Sequence, residues 1–194
     1  IFRISFTGEL SYEINVKARY GLALWTLLMK AGAEFGITPY GTEAMHVLRA
    51  EKGFIIVGQE TDGSVTPHDL DMGWIVSKVK PDFIGKRALA RASMEYDDRK
   101  QLVGLRTTDS QRVIPEGAHA VIDPDQPVPM DMLGQVTSSY FSPNVGASIA
   151  MAMLKGGHSM IGSKVYFPML DGDVIEAEIV SPMFFDGKGD RING

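Results

Sequence analysis

Apolar and polar residues alternate at the start of the chain. Phe2, Ile4 and Phe6 take every second position, Thr7-Gly8 interrupts, and Leu10, Tyr12, Ile14 and Val16 resume the alternation. A period of two marks half-buried strands, so the pattern predicts a β-hairpin. Its register bears on what the hairpin can do. With only Thr7 and Gly8 in the loop, Phe6 lies opposite Glu9 and shares a face with Glu13, a mixed aromatic and acidic surface suited to a ligand. One more loop residue gathers the apolar side chains on one side as plain core.

The period then lengthens. Tyr20, Leu24, Leu27, Leu28 and Ala31 recur at helical spacing with Gly32 as a C-terminal stop. A second helix is expected from Thr42, whose hydroxyl can cap it, to Gly53, with Ala44, Met45 and Leu48 on its buried stripe. Arg49 and Glu51 lie on that helix, either fastening it to a neighbouring sheet or, in the case of Arg49, touching a ligand. Met72 to Val79 is strand-like with Trp74 in its core, and Phe83 to Met94 suits a further helix. The charged run Glu95–Lys100 suggests a boundary between a first unit, 1–96, and a second, 97–194.

Beyond that run, short apolar stretches separated by Gly, Pro and Asp replace helical spacing: Leu102 to Leu105, Ala118 to Ile122, Leu133 to Val136, Ser148 to Leu154, Lys164 to Phe167 and Val174 to Val180. Such punctuation predicts an antiparallel barrel, and the chain as a whole is of α+β class.

Composition narrows the chemistry. With 194 residues, 44% of them hydrophobic and 22% charged, the chain can bury a sizeable core. A net charge of −5 disfavours nucleic acid as a partner, and the basic patch of Lys86, Arg87 and Arg91 suits a solvated helix face. The absence of cysteine removes disulfides, thiolate metal sites and thiol nucleophiles together. His46, His68, His119 and His158 are scattered without metal-ligand spacing, so no metal is expected. No apolar run approaches the roughly 18 residues of a membrane span, so no membrane is expected as a partner. Gly58 to Ser64 has the glycine spacing of a phosphate loop, but Ser64 stands where its lysine must be, and the segment reads as a turn.

The segment Ile4-Ser5-Phe6-Thr7-Gly8-Glu9-Leu10-Ser11-Tyr12-Glu13-Ile14 resembles the pterin-gripping segment of the glycine-cleavage T-protein (aminomethyltransferase) family. The chemistry suits a folate: the 2-amino-4-oxopyrimidine edge presents adjacent N–H donors that one carboxylate accepts side by side, and the flat ring favours an aromatic neighbour. The resemblance continues in order through Leu48-Arg49-Ala50-Glu51-Lys52-Gly53, Met72-Gly73-Trp74, Asp82-Phe83-Ile84-Gly85-Lys86, Gly134-Gln135-Val136-Thr137-Ser138 and Ile149-Ala150-Met151-Ala152. It implies the second half of an aminomethyltransferase-like folate-binding α+β domain followed by a C-terminal antiparallel β-barrel.

One departure is informative. Free-standing T-proteins usually read G-x-x-A-R-D-x-L-R-x-E, and the matching positions here are Ala44, Met45 and His46, so the arginine contact to substrate is absent. A thioether cannot replace a guanidinium as a partner for anionic or polar groups. That wording, and the closing Ser181-Pro182-Met183-Phe184-Phe185-Asp186 to Gly194, resembles instead the α-subunit branch of heterotetrameric sarcosine oxidases. The resemblance implies tetrahydrofolate held by Glu13, Phe6, Tyr12, Met45 and Arg49, with Met45 on the pocket wall. It also implies flavin and NAD bound outside this chain, other subunits as partners, and a cytoplasmic location. The alternatives are a glycine-cleavage aminomethyltransferase, a dimethylglycine-dehydrogenase-like protein, or a non-catalytic folate-binding module. Ile1 is not an initiator methionine, and the alternation begins at once, as in a domain entered partway. The family's catalytic Asp belongs to the part expected upstream, so no catalytic residue is assigned here.

Overall fold

A computed structural model of the chain describes every residue except Glu95, Asp97 and Gly194, so part of the charged run Glu95–Lys100 lies outside the described residues. The N-terminal hairpin is shorter than its alternation suggests. Strands β1 (Phe2–Arg3) and β2 (Tyr12–Glu13) pair antiparallel, Phe2 opposite Glu13 and Arg3 opposite Tyr12. That is the register a Thr7-Gly8 loop would set, but Ile4 to Ser11 leaves the ladder and forms a wide loop. Local side chains hold the loop: the Gly8 N–H donates to Ser5 Oγ at 3.0 Å, and the Ser11 hydroxyl to the Glu9 carbonyl at 3.1 Å.

Helix α1 (Gly21–Gly32) has the expected span and then continues as a 3-10 turn over Ala33–Phe35. None of its residues is buried: Leu22, Trp25 and Leu27 are all more than half exposed. Amphipathic spacing makes a helix able to pack, and no described element covers this one. Helix α2 (Thr42–Glu51) is capped by the extended Gly41 without a side-chain bond, so the expected Thr42 cap is corrected. Its stripe is corrected too. Ala44 is exposed, Met45 and Leu48 are half-buried, and the buried residues are Arg49, Ala50 and Glu51. The cause is that α2 meets the barrel with its C-terminal end.

The Met72 to Val79 run is not a strand: Gly73–Ile75 forms a 3-10 turn, and Trp74 is 77% exposed rather than core. The helix expected over Phe83 to Met94 is reduced to α3 (Lys86–Leu89) and a 3-10 turn at Ala92–Met94. Among the described residues no helix is long and apolar enough to cross a membrane.

The six apolar runs become strands β3 (Lys100–Thr107), β4 (His119–Ala120), β5 (Gly134–Ser142), β6 (Ala147–Lys155), β7 (Lys164–Pro168) and β8 (Val174–Val180). They form one antiparallel sheet in the order β4-β5-β6-β3-β8-β7. An antiparallel bridge joins its two ends, with Val121 N–H to Tyr166 O at 2.9 Å and Tyr166 N–H to Val121 O at 3.0 Å, and so closes the barrel. Val103, Leu105, Val136, Ala150, Ala152, Leu154, Phe167 and Ile179 fill the interior.

Strand β6 shows why its sequence is continuously apolar. Ala150, Ala152 and Leu154 face the barrel interior, while Ile149, Met151 and Met153 join Ala50, Leu70 and Leu102 in a second core between barrel and helix layer. Both faces are buried, so the hydrophobic alternation disappears. A bulge in β5 then re-aims the ladder: Val136 lies opposite Ala152, but Ser138 lies opposite Met151. The extra residue, Thr137, satisfies its hydroxyl on the Met151 carbonyl at 3.1 Å. Beyond the bulge Ser138 is buried against α2 rather than turned into the barrel interior that Val136 faces.

Candidate functional site

A cavity of about 390 Å³ opens between the N-terminal loop, the end of α2, the Leu70–Trp74 turn and the segment that follows β8. Phe6, Trp74, Met72, Leu102, Pro182 and Met183 give it predominantly apolar walls. Trp74 is thus an exposed aromatic bordering a cavity, which explains why so large an apolar side chain is left uncovered. Sequence periodicity had placed it in a core, and only the turn at Gly73–Ile75 turns it out.

Of the five residues the resemblance singles out, Phe6 lines this cavity and Tyr12, Glu13, Met45 and Arg49 do not. Tyr12 and Glu13 stand exposed on β2, adjoining the loop that carries Phe6. The Glu13 carboxylate accepts from Asn15 Nδ2 at 2.9 Å through one oxygen, and the other oxygen has no donor among the described residues. Met45 is half-buried on α2.

Arg49 is fully enclosed: both terminal nitrogens donate to protein, and the buried Nε has no acceptor among the described residues. Nη1 donates to Glu60 Oε2 at 3.1 Å and to the Phe54 carbonyl at 3.1 Å, and Nη2 donates to Ser138 Oγ and Gln59 Oε1. The Ser138 hydroxyl donates in turn to Glu60 Oε1 at 2.6 Å, and the Ile56 N–H donates to Glu60 Oε2 at 2.7 Å. Arg49 is therefore a tie between helix and barrel, and a ligand role for it is corrected: a side chain with no exposed surface presents no face to a folate. Tyr140 packs beside this network, and burial pushes its phenol above the ordinary range, against the lowering influence of Arg49.

Glu51 makes the second tie, accepting from Ser142 Oγ at 2.6 Å and Asn144 Nδ2 at 2.8 Å. A further ion pair joins Asp69 to Arg99. Asp69 receives Arg99 Nε at 2.9 Å, Thr66 N–H at 2.8 Å and the Thr66 hydroxyl at 2.7 Å. Burial opposes the Asp69 charge, but the Arg99 guanidinium and the Thr66 donors hold its carboxyl below the usual carboxylate range. Glu60 and Asp69 were missed by sequence reasoning. Each sits in a polar turn whose composition looks solvated, and the only hint was the presence of Arg49 and Arg99 to be neutralised.

Comparison with known proteins bears on this arrangement. The GCVT N-terminal domain model matches residues 1–80, and the glycine cleavage T-protein C-terminal barrel domain model matches residues 100–186. The chain carries two domain types of the glycine-cleavage T-protein family. Its aminomethyltransferase-like fold is shared with the crystal structure of glycine cleavage system aminomethyltransferase T from Bartonella henselae, at a TM-score of 0.80 and 26% identity over 95% of this chain and 49% of that one. The chain is 46% identical over its whole length to sarcosine oxidase subunit alpha of Corynebacterium sp. (strain U-96) and 40% identical to that of Rhizobium meliloti. It spans 20% of the length of each of these relatives. An aminomethyltransferase of Chloroherpeton thalassium is 33% identical over 95% of the chain, which spans 48% of that protein.

Proposed function

We propose that this chain is the folate-binding portion of a sarcosine oxidase α subunit. In that role it receives on tetrahydrofolate the one-carbon unit released by oxidative demethylation of sarcosine, giving methylenetetrahydrofolate. The observation that carries the proposal is 46% identity over the whole chain to a protein named sarcosine oxidase subunit alpha, against 33% to an aminomethyltransferase. Met45, standing where free-standing T-proteins carry an arginine, favours the same choice. Flavin and NAD would be held outside this chain, and the other oxidase subunits would be its partners.

The residues present fit a folate. Tetrahydrofolate supplies the amine nitrogens that take up the carbon. Phe6 and Trp74 offer flat apolar surfaces to its ring, and the unpaired oxygen of Glu13 offers an acceptor for the pyrimidine donors, with Tyr12 beside it. The apolar walls of the cavity keep the reacting carbon from water. Met45 lies outside this cavity and is proposed as an apolar neighbour of the part of the folate that extends beyond it.

Calorimetric titration of the full-length protein with a reduced folate tests this. Glu13→Gln is expected to weaken binding by about 2–4 kcal/mol, since a charged acceptor is replaced by an amide that is half donor. Unchanged affinity in a folded variant would exclude Glu13.

A further inference from the structure

The closing segment, Ser181–Asn193, has no part in the barrel, yet it is tied more closely than a terminal tail requires. It leaves β8 and lies flat against β3 and the end of α2, where two glycines admit it. A side chain at Gly104 would run into the Ser181 carbonyl, and a Cβ at Gly53 would stand 2.6 Å from the Pro182 carbonyl oxygen. The Phe184 and Phe185 N–H groups both donate to the Glu51 carbonyl, at 2.9 and 3.0 Å.

Asp186 is the node of the segment. Its backbone adopts the left-handed conformation at φ 50°, which non-glycine residues rarely enter. Lys52 Nζ donates to its carbonyl and, at 3.0 Å, to Oδ2, with both side chains largely buried. The same carboxylate accepts the Asp190 N–H on Oδ1 at 3.0 Å and the Arg191 N–H on Oδ2 at 3.3 Å. Lys52, foremost, and these two N–H groups hold the carboxyl below its usual range.

From that node the segment reaches back to the N-terminal hairpin. The Leu10 N–H donates to the Arg191 carbonyl at 2.9 Å, Arg191 Nη1 to Glu9 Oε1 at 2.9 Å, and Arg3 Nη2 to the Ile192 carbonyl at 2.9 Å. Arg191 also lies 4.7 Å over the Phe185 ring. The hairpin itself has only two paired positions, too few to hold a conformation alone.

We infer that Ser181–Asn193 is a strap that sets the ligand-binding geometry of the N-terminal hairpin, with Asp186 as a positioning residue acting through Arg191 on the Glu9-Leu10 bend. The strap also supplies one wall of the Phe6 cavity through Pro182 and Met183. A ligand that enters between Phe6 and Met183 is gripped by the N-terminal loop and the strap together, which makes the strap part of the binding device. This rests on the folate proposal only for the identity of the ligand.

The test is hydrogen exchange by mass spectrometry on the full-length protein, combined with titration by a reduced folate. Asp186→Asn keeps the side-chain shape and weakens the node; it is expected to speed exchange in peptides covering residues 1–13 by about tenfold or more while leaving β5 and β6 unchanged. Folate affinity is expected to fall by about tenfold at a temperature where both proteins are fully folded, a change that a loss of stability alone would not produce. Arg191→Met, which spares the node, is expected to loosen residues 1–13 without loosening 181–186. Unchanged exchange over residues 1–13 in both variants overturns the strap. Loosened exchange with undiminished folate affinity overturns the positioning role. If the unmodified protein binds no folate, the folate proposal fails, and the exchange result alone decides the strap.

Discussion

The Arg49 guanidinium and the Glu60 carboxylate meet at 3.1 Å with neither side chain exposed to solvent. A helix end and a turn are thereby locked to the bulged strand β5, because Ser138 bonds to both members of the pair. Removing one partner would leave the other charge enclosed.

Arg49→Met is therefore expected to destabilise the protein by about 3–5 kcal/mol, read from denaturant unfolding. Adding Glu60→Gln removes the stranded carboxylate and is expected to recover part of that loss. With Glu60→Gln also measured alone, a double-variant loss equal to the sum of the two single losses would show that the pair is not coupled.

Substitutions along α2 are expected to follow the observed burial. Met45→Arg, at a half-buried position from which a long side chain can reach water, is expected to cost less than about 1 kcal/mol. Ala50→Arg forces a guanidinium into a site only 1% exposed and is expected to prevent stable folding. Thermal melts of the two variants check the order.

Gly53→Ala combines a positive φ of 73° with the close Pro182 carbonyl. A loss of about 1–3 kcal/mol is expected. Increased protease sensitivity confined to the segment after β8 would locate the damage.

The Asp69–Arg99 pair makes an acid-sensitive contribution. Because the folded carboxyl titrates below its unfolded value, of about 3.9, the stabilisation is complete above that pH and is lost as pH falls through the folded value. The stability difference between wild type and Asp69→Asn is expected to be constant at neutral pH and to shrink below about pH 4. A difference that persisted undiminished into strong acid would contradict the assignment.

The barrel was legible because each strand's apolar run is bounded by Gly, Pro or Asp, and those runs reappear as β3 to β8. Helices α1 and α2 were legible from their spacing. What they pack against was not, because periodicity records the capacity to bury a face and not the presence of a cover: Leu27 and Leu28 satisfy the pattern yet stand exposed. Trp74 misled for a related reason, since its apolarity serves a cavity wall. The cavity itself was illegible because its walls come from Phe6, Met72, Leu102 and Met183, segments far apart in sequence. Ser138 escaped notice because a single extra residue at Thr137 reverses which side of the strand is covered.

The position of β3 has a consequence for how the molecule assembles. It precedes every other barrel strand in the sequence, yet it lies between β6 and β8. The hairpins β5–β6 and β7–β8 close over short turns and can form locally, whereas β3 must wait for both across long intervening chain, which makes its capture the slow step of folding. As the polypeptide leaves the ribosome, Leu102, Val103 and Leu105 emerge with no strand to receive them, so nascent chains stalled before β8 would be the ones most in need of a chaperone.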